Sequence, residues 1–332
     1  MDESSNININ QNSENQNEIK FDILKIDSLI NRNKDLIYKE GENIFQFIPE
    51  YKQNQNEEDQ KIDIPKYLAK IKNPSFVYLG ILSKNLKKEN YGFNVYENGD
   101  QYFGQWNKDK KEGYGIYFYK QEENNEIYIG EFKNNVKSGE GIYFKISKFD
   151  EEKAENNLAP PLDYTLYIGN FTEDNFIKGI IYSKEGGKTK IYKGKMKEGK
   201  KDDDNAEIYE NDNKIFYGTV RGNVMTEGRI IFLKNGVKET AYYFTRKGKN
   251  SNDGEIDFDH DKGENNDDKY IKKLNEINNI FDNERLQDLY ISVMKIREKV
   301  NSSDNFEYMQ KLNYDMDVKQ ELKDQYGRYL YC

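Results

Sequence analysis

The residues best suited to chemistry in this chain are its charged ones, and they concentrate in two places. Asp257-Phe-Asp259-His-Asp261-Lys-Gly263, followed by Asn265 and Asp268, alternates oxygen-bearing side chains in a way that suits a calcium ion. Its glycine stands at the seventh place where a calcium loop needs it at the sixth, and an Asp stands where a bidentate Glu is required. The run therefore reads as a solvated acidic linker, with no metal expected. The second place is basic. Lys184, Lys188, Lys190, Lys193, Lys195, Lys197, Lys200 and Lys201 fall within a stretch whose only acids are Glu185 and Glu198. A strand through Tyr192, Gly194 and Met196 would set Lys193, Lys195 and Lys197 on its opposite face. Lys188, Lys190, Lys193, Lys195 and Lys197 are the candidate surface for an acidic partner, either a protein tail or a phosphoinositide headgroup, weighed against a plain solvated lysine face.

Catalysis lacks its usual materials. The single His260 lies in the acidic run and the only Cys is Cys332, so no His-based triad, Cys–His dyad or His/Cys zinc cluster can be assembled. No Gly-x-x-x-x-Gly-Lys-Ser/Thr loop occurs, and the paired carboxylates sit in polar runs with no apolar pocket to raise a pKa. A non-catalytic protein without a cofactor is expected. The formal charge of −9 disfavours nucleic-acid binding and adhesion to anionic membranes. One cysteine points to a reducing compartment, and no run of about 18 apolar residues exists, so a cytoplasmic location is expected.

What must position any surface is a repeat. Tyr102-Phe-Gly104-Gln-Trp106 leads to Gly113-Tyr-Gly115-Ile-Tyr117, and Tyr128-Ile-Gly130-Glu-Phe132 leads to Gly139-Glu-Gly141-Ile-Tyr143, with the same offset at every marked position. Weaker copies start at Tyr78, Tyr167, Tyr192 and Phe216, and residues 146–163 are inserted between the third and fourth. Side chains two apart share one face of a strand, so each copy presents aromatic, slot, aromatic, and a ring can lie across the glycine because no Cβ obstructs it. Polar segments such as Asn107-Lys-Asp-Lys-Lys-Glu112 separate the two runs, so each copy reads as a β-hairpin. Tyr102, Gly104, Trp106, Gly113, Gly115, Tyr117, Tyr128, Gly130, Phe132, Gly139, Gly141 and Tyr143 are expected to build the sheet, not to bind a ligand.

The pattern resembles the MORN repeat, whose signature is Tyr-x-Gly-x-Trp/Phe followed by a Gly-x-Gly pair. The resemblance covers roughly residues 76 to 240 and implies a mainly β fold: a single-layer, twisted antiparallel sheet of about six hairpins. It also implies a scaffold that bridges proteins of a multi-subunit cytoskeletal assembly. Proteins of similar build occur in ciliary axonemes, radial spoke heads among them, with the acidic tails of tubulin as one candidate partner. A peripheral membrane module using the lysine-rich fifth copy is the alternative.

Around the sheet the reading is a disordered tail at 1–18, an N-terminal helix and lead-in at 19–75, the array at 76–247, an acidic linker at 248–268 and helices at 269–332. Asn43 to Pro49 reads as a strand, and Pro65 as the opening of a helical turn. Leu286, Leu289, Val293, Ile296 and Val300 repeat at 3, 4, 3, 4 and form a seam for helix docking, either onto a partner or in a homodimer. The helices are expected to cap an exposed sheet end.

Overall fold

A computed structural model describes residues 37–47, 66–120, 125–149, 161–247, 255–259, 266–280 and 283–301. Its strands are β1 (Ile37–Glu40), β2 (Asn43–Phe47), β3 (Lys66–Asn73), β4 (Phe76–Ser83), β5 (Lys88–Tyr96), β6 (Gln101–Asn107), β7 (Lys110–Tyr119), β8 (Asn125–Lys133) and β9 (Val136–Phe149). Then follow β10 (Pro161–Thr172), β11 (Asn175–Glu185), β12 (Lys188–Lys197), the two-residue β13 (Lys200–Lys201), β14 (Asp203–Glu210), β15 (Lys214–Arg221), β16 (Val224–Lys234), β17 (Val237–Lys247) and β18 (Glu255–Asp259). Every strand but the short β13 pairs antiparallel with its neighbours in sequence; β12 pairs with both β13 and β14. The result is one open meander from β1 to β18. Seventeen strands side by side, leaving β13 aside, make a sheet about 75–80 Å across along its curve.

The array is wider than the glycine pattern suggests. It begins at Ile37 instead of residue 76, because β1 to β3 pair without the signature, and it continues through β18 inside the expected acidic linker. Lys66 opens a strand, not a helical turn. The insert is shorter than expected, because β9 runs to Phe149 and β10 starts at Pro161. The expected N-terminal tail and helix, and everything after Asn301, lie outside the described residues.

Two-residue turns with both φ angles positive close the hairpins: Lys108 and Asp109 at 49° and 68°, Asn134 and Asn135 at 51° and 76°, Glu173 and Asp174 at 48° and 66°. Their twist matches that of the flanking strands. The second turn residue also staples one hairpin to the last. Asp109 Oδ1 accepts from the Lys88 amide at 2.9 Å while its own amide donates to the Lys88 carbonyl at 3.1 Å. Asn135 does the same to Lys111, Asp174 to Lys137 and Asn223 to Lys201.

A row of glycines crosses the strands. Gly80, Gly92, Gly104, Gly115, Gly130, Gly141, Gly169, Gly179 and Gly194 are successive cross-strand partners from β4 to β12. Ala69 opposes Gly80 at one end, and Ala206 opposes Gly218 beyond the other. The row is the floor on which the repeat tyrosines lie. Tyr102 folds back along its own strand and donates to the Gln105 carbonyl at 2.8 Å; Tyr78, Tyr128 and Tyr192 repeat this with Ile81, Glu131 and Lys195 at 2.9, 3.0 and 2.6 Å. A Cβ on Gly104 would stand 2.5 Å from the Gly115 Cα and 2.6 Å from the Tyr102 hydroxyl. Gly113 is needed for another reason, its φ of +82°.

Two helices follow the sheet, α1 (Asp267–Ile280) and α2 (Asn283–Asn301). They do not cap an edge. They lie on the sheet face opposite the repeat tyrosines, where Leu274, Ile277, Leu286, Leu289, Tyr290, Val293 and Val300 share one core with Phe103, Ile116, Phe118, Ile129, Ile142 and Phe144. This part of the molecule is therefore two layers, not one. The cause is in the strands: their alternate positions are apolar on both faces, and a bare sheet would leave one of them wet.

Candidate interaction surfaces

The uncovered face is built on the repeat. Tyr78, Tyr102, Trp106, Tyr128, Phe132 and Phe171 are buried there in a core that includes no residue of either helix. Ring edges meet ring faces along it: Tyr102 against Trp106 and Phe132, and Tyr128 against Phe132 and Phe171, each at 5.1 Å between centroids. Trp106 Nε1 donates to the Gly92 carbonyl at 3.2 Å, which fixes the indole across the next strand. Beside this buried line runs a second, half-buried one. Tyr96, Tyr117, Tyr119, Tyr143 and Tyr167 touch in succession with centroids 6.0, 4.5, 6.1 and 5.8 Å apart. Tyr117 donates to Asp100 at 2.9 Å and Tyr143 to Glu126. Burial pushes the phenols of Tyr117 and Tyr143 up, and the carboxylate each one binds pushes further in the same direction. All twelve repeat residues named from the sequence lie in this sheet, their aromatic side chains on this face; among those rings, Tyr117 and Tyr143 at the end of each copy are the ones left half-exposed.

Four lysines occupy the same face. Lys88 Nζ lies 3.9 Å from the Phe76 centroid and 4.6 Å from that of Trp106, and donates to Asn94 Oδ1 at 2.6 Å. Lys111 Nζ stands 4.4 Å from the ring of Tyr117 and 5.5 Å from that of Phe132; Lys137 Nζ stands 4.7 Å from Tyr143, and Lys201 Nζ 4.9 Å from Tyr192. Burial lowers all four ammonium groups, Lys88 and Lys111 to about 8. The face of an aromatic ring is negative, so each box holds its cation without a carboxylate. Sequence reasoning passed over these residues. Their signal was present: a lysine stands nine residues after Tyr102, Tyr128 and Tyr192, and ten after Tyr78.

The lysines of the basic stretch are divided. Lys193, Lys195 and Lys197 alternate with Tyr192, Gly194 and Met196 and so face away from the repeat tyrosines, while Lys188 and Lys190 share the tyrosine face. Lys190 pairs with Glu210 at 2.6 Å, and Lys214 reaches the same carboxylate at 3.0 Å. Glu210 is pushed up by burial, but its hydrogen bonds to those two lysines outweigh this and hold it below the usual carboxylate range.

On the helix face, the seam of Leu286, Leu289, Val293 and Val300 is buried, with Ile296 packed beside it, against the chain's own strands. Docking is internal. Two polar anchors hold the helices. At the start of α1, Asp267 takes Nε and Nη2 of Arg229 at 2.7 and 2.9 Å, Lys238 Nζ at 2.7 Å and the Tyr217 hydroxyl at 3.1 Å. Arg229 is 1% exposed and Asp267 2%. Burial raises the Asp267 carboxyl, but the hydrogen bonds and charges of Arg229 and Lys238 prevail and leave it below its ordinary value. Tyr270 stacks on Tyr217 at 3.9 Å and 14°. At the end of α2, Arg297 donates to Gln101 Oε1 at 3.0 Å and lies 5.2 Å from the Phe118 ring, and Asn301 also binds Gln101.

Neither a protein-family model nor a curated protein matches the chain. In the acidic run, Asp257 and Asp259 lie on β18 and Asp268 in the first turn of α1, while residues 260–265 lie outside the described residues. Among the described residues, no group of three or more His, Cys, Asp or Glu side chains is placed to hold a metal ion, and no helix is long and apolar enough to cross a membrane.

Proposed function

We propose that this chain is a non-catalytic scaffold of the MORN-repeat type that bridges protein partners in a large cytoskeletal assembly, the ciliary axoneme being the setting its build suggests. The observation that carries the reading is the division of the sheet's two faces. One is occupied by the chain's own helices, and the other presents a continuous line of half-buried tyrosines and boxed lysines with no described element over it. A long sheet stiffened by a helical layer offers a rigid platform, and half-exposed tyrosines supply large contact area with little side-chain entropy to lose.

The test is co-sedimentation of the purified chain with detergent-extracted cytoskeleton, combined with cross-linking mass spectrometry in native extract. Lipid-independent pelleting and cross-links to a defined set of subunits are expected. A chain that stays in the supernatant and floats only with anionic liposomes refutes the scaffold. That result would favour the phosphoinositide module, whose basis is the shared outward face of Lys193, Lys195 and Lys197.

A further inference from the structure

We propose that the tyrosine face binds an extended acidic peptide that crosses the strands, with carboxylates seated on Lys111 and Lys137 and apolar side chains on the tyrosine line between them. The inference deepens the scaffold reading and rests on it. It starts from an imbalance among the boxed lysines. Lys88 has an acceptor, Asn94 Oδ1. Lys111 and Lys137 have none: among the described residues their ammonium groups make ring contacts only, with no hydrogen bond and no ion pair. Both side chains are half-buried, so part of their hydration is already lost while three donors on each remain unused. A carboxylate arriving there gains a charge-assisted bond at a reduced desolvation cost.

The carboxylates already on this face do not serve that purpose. Asp100 accepts from Tyr117, from the Lys120 amide at 2.8 Å and from Asn98, and Glu126 accepts from Tyr143 and pairs with Lys145 at 3.4 Å. Neither pairs with Lys111 or Lys137; the largest charge support for both lysines comes from Asp174, whose Oδ1 accepts from the Lys137 amide at 2.8 Å, with Asp100 adding to it at Lys111 and Glu126 at Lys137. Spacing defines the ligand. Lys111 on β7 and Lys137 on β9 are two strands apart, about 10 Å, and a chain in the polyproline II conformation advances about 9 Å in three residues, which also return to the same side. A peptide with an acidic residue at every third position matches both lysines at once. Its intervening side chains fall on Tyr117, Tyr119 and Tyr143, whose centroids are 4.5 and 6.1 Å apart. Beyond Lys137 the next copy carries Phe176 in the lysine's place, so the charged register ends there and an apolar residue is favoured.

The probe is a fluorescein-labelled dodecapeptide with Glu at every third position and Leu or Val between, titrated against the full chain by anisotropy. Saturable binding is expected, weakened about fivefold by Lys111→Met or Lys137→Met singly and by well over tenfold in the double variant. The pair Lys193→Met/Lys195→Met on the opposite face should bind as the wild type does. Should the double variant fail to fold, lysine 13Cε chemical shifts of the wild-type chain replace it, with the Lys111 and Lys137 signals moving on peptide addition. No saturable binding, equal affinity for the Gln-substituted peptide, or an unchanged double variant overturns the proposal, as does capture by phosphatidylserine vesicles with none by peptide. A double variant that loses the peptide yet still pellets with cytoskeleton retains both readings. One that keeps the peptide with undiminished affinity sinks this inference and leaves the scaffold standing.

Discussion

Asp267→Asn should release the start of α1 from the sheet while leaving the far repeats intact. Arg229 is 1% exposed and gives Asp267 two hydrogen bonds, so the amide removes the negative charge from a buried ion pair. Removing one member of such a pair costs about 3–5 kcal/mol; Asn keeps one acceptor oxygen, which places this case near 3. In repeat architectures a local loss stays local, because each unit contacts only its neighbours. The assay is native-state hydrogen exchange, in which about 3 kcal/mol appears as exchange roughly a hundredfold faster in α1 amides. Amides of β6 and β7, together with fluorescence of the lone Trp106, should be unchanged. The double variant Arg229→Met/Asp267→Leu removes both charges and should recover most of the protection, since a buried pair is often replaceable by apolar residues of similar volume.

Acid provides an independent check. The folded-state pKa of Asp267 is depressed, so its contribution is complete above the unfolded value of about 4 and is lost as pH falls through the lower folded value. Wild-type α1 should therefore open progressively below about pH 4, and Asp267→Asn should show no such step at that site. Unchanged α1 protection in Asp267→Asn, or an equal loss in β6 and β7, would refute the reasoning.

Two further outcomes follow. Tyr102→Phe removes one hydrogen bond to a carbonyl and should cost about 1 kcal/mol in urea unfolding, whereas Gly115→Ala, whose Cβ would stand 2.6 Å from the Tyr102 ring, should cost more and raise exchange in β6 and β7; equal effects would show that the glycine is not holding room for the ring. Lys111 has a lowered folded pKa of about 8, so the unfolded chain binds the extra proton between about pH 8 and 10.5 and stability attributable to this residue rises with pH there; the wild type should gain at least about 1 kcal/mol over Lys111→Met across that window, and a flat difference would contradict the buried ammonium.

The repeat was readable because glycine and tyrosine are informative when they recur at fixed offsets. Tyr102 needs Gly104 and Gly115 beneath it, and only a hairpin register brings those two together. The turn between the two runs was readable from the polar segment Asn107 to Glu112, which holds Lys108 and Asp109 at positive φ. Strand β2 was readable as the run from Asn43 to Pro49, but β1, β3 and β18 were not, since a strand that pairs through backbone alone needs no signature residue. Ala69 opposite Gly80 is the only trace that β3 extends the row.

The helix seam shows why periodicity alone could not say what the helices cover. Leu286, Leu289, Val293, Ile296 and Val300 fit a coiled-coil partner, a sheet end or a sheet face equally well, because a 3, 4 spacing specifies an apolar stripe and nothing about what lies across it. The deciding residues were on the strands. Phe103, Ile116, Phe118, Ile129, Ile142 and Phe144 alternate with the repeat positions, so their face is as apolar as the tyrosine face but lacks its glycine floor. Six such side chains left in water would each forfeit about 1.5–3 kcal/mol, and covering them outweighs capping a strand edge of a few backbone groups. The tyrosine face needs no such cover, since its buried rings pack on glycine and its outer rings keep a hydroxyl for water or for a partner. A recurring glycine-and-tyrosine pattern on one face, with bulky apolar residues and no glycines between them on the other, thus identifies both the side the chain closes for itself and the side it leaves open.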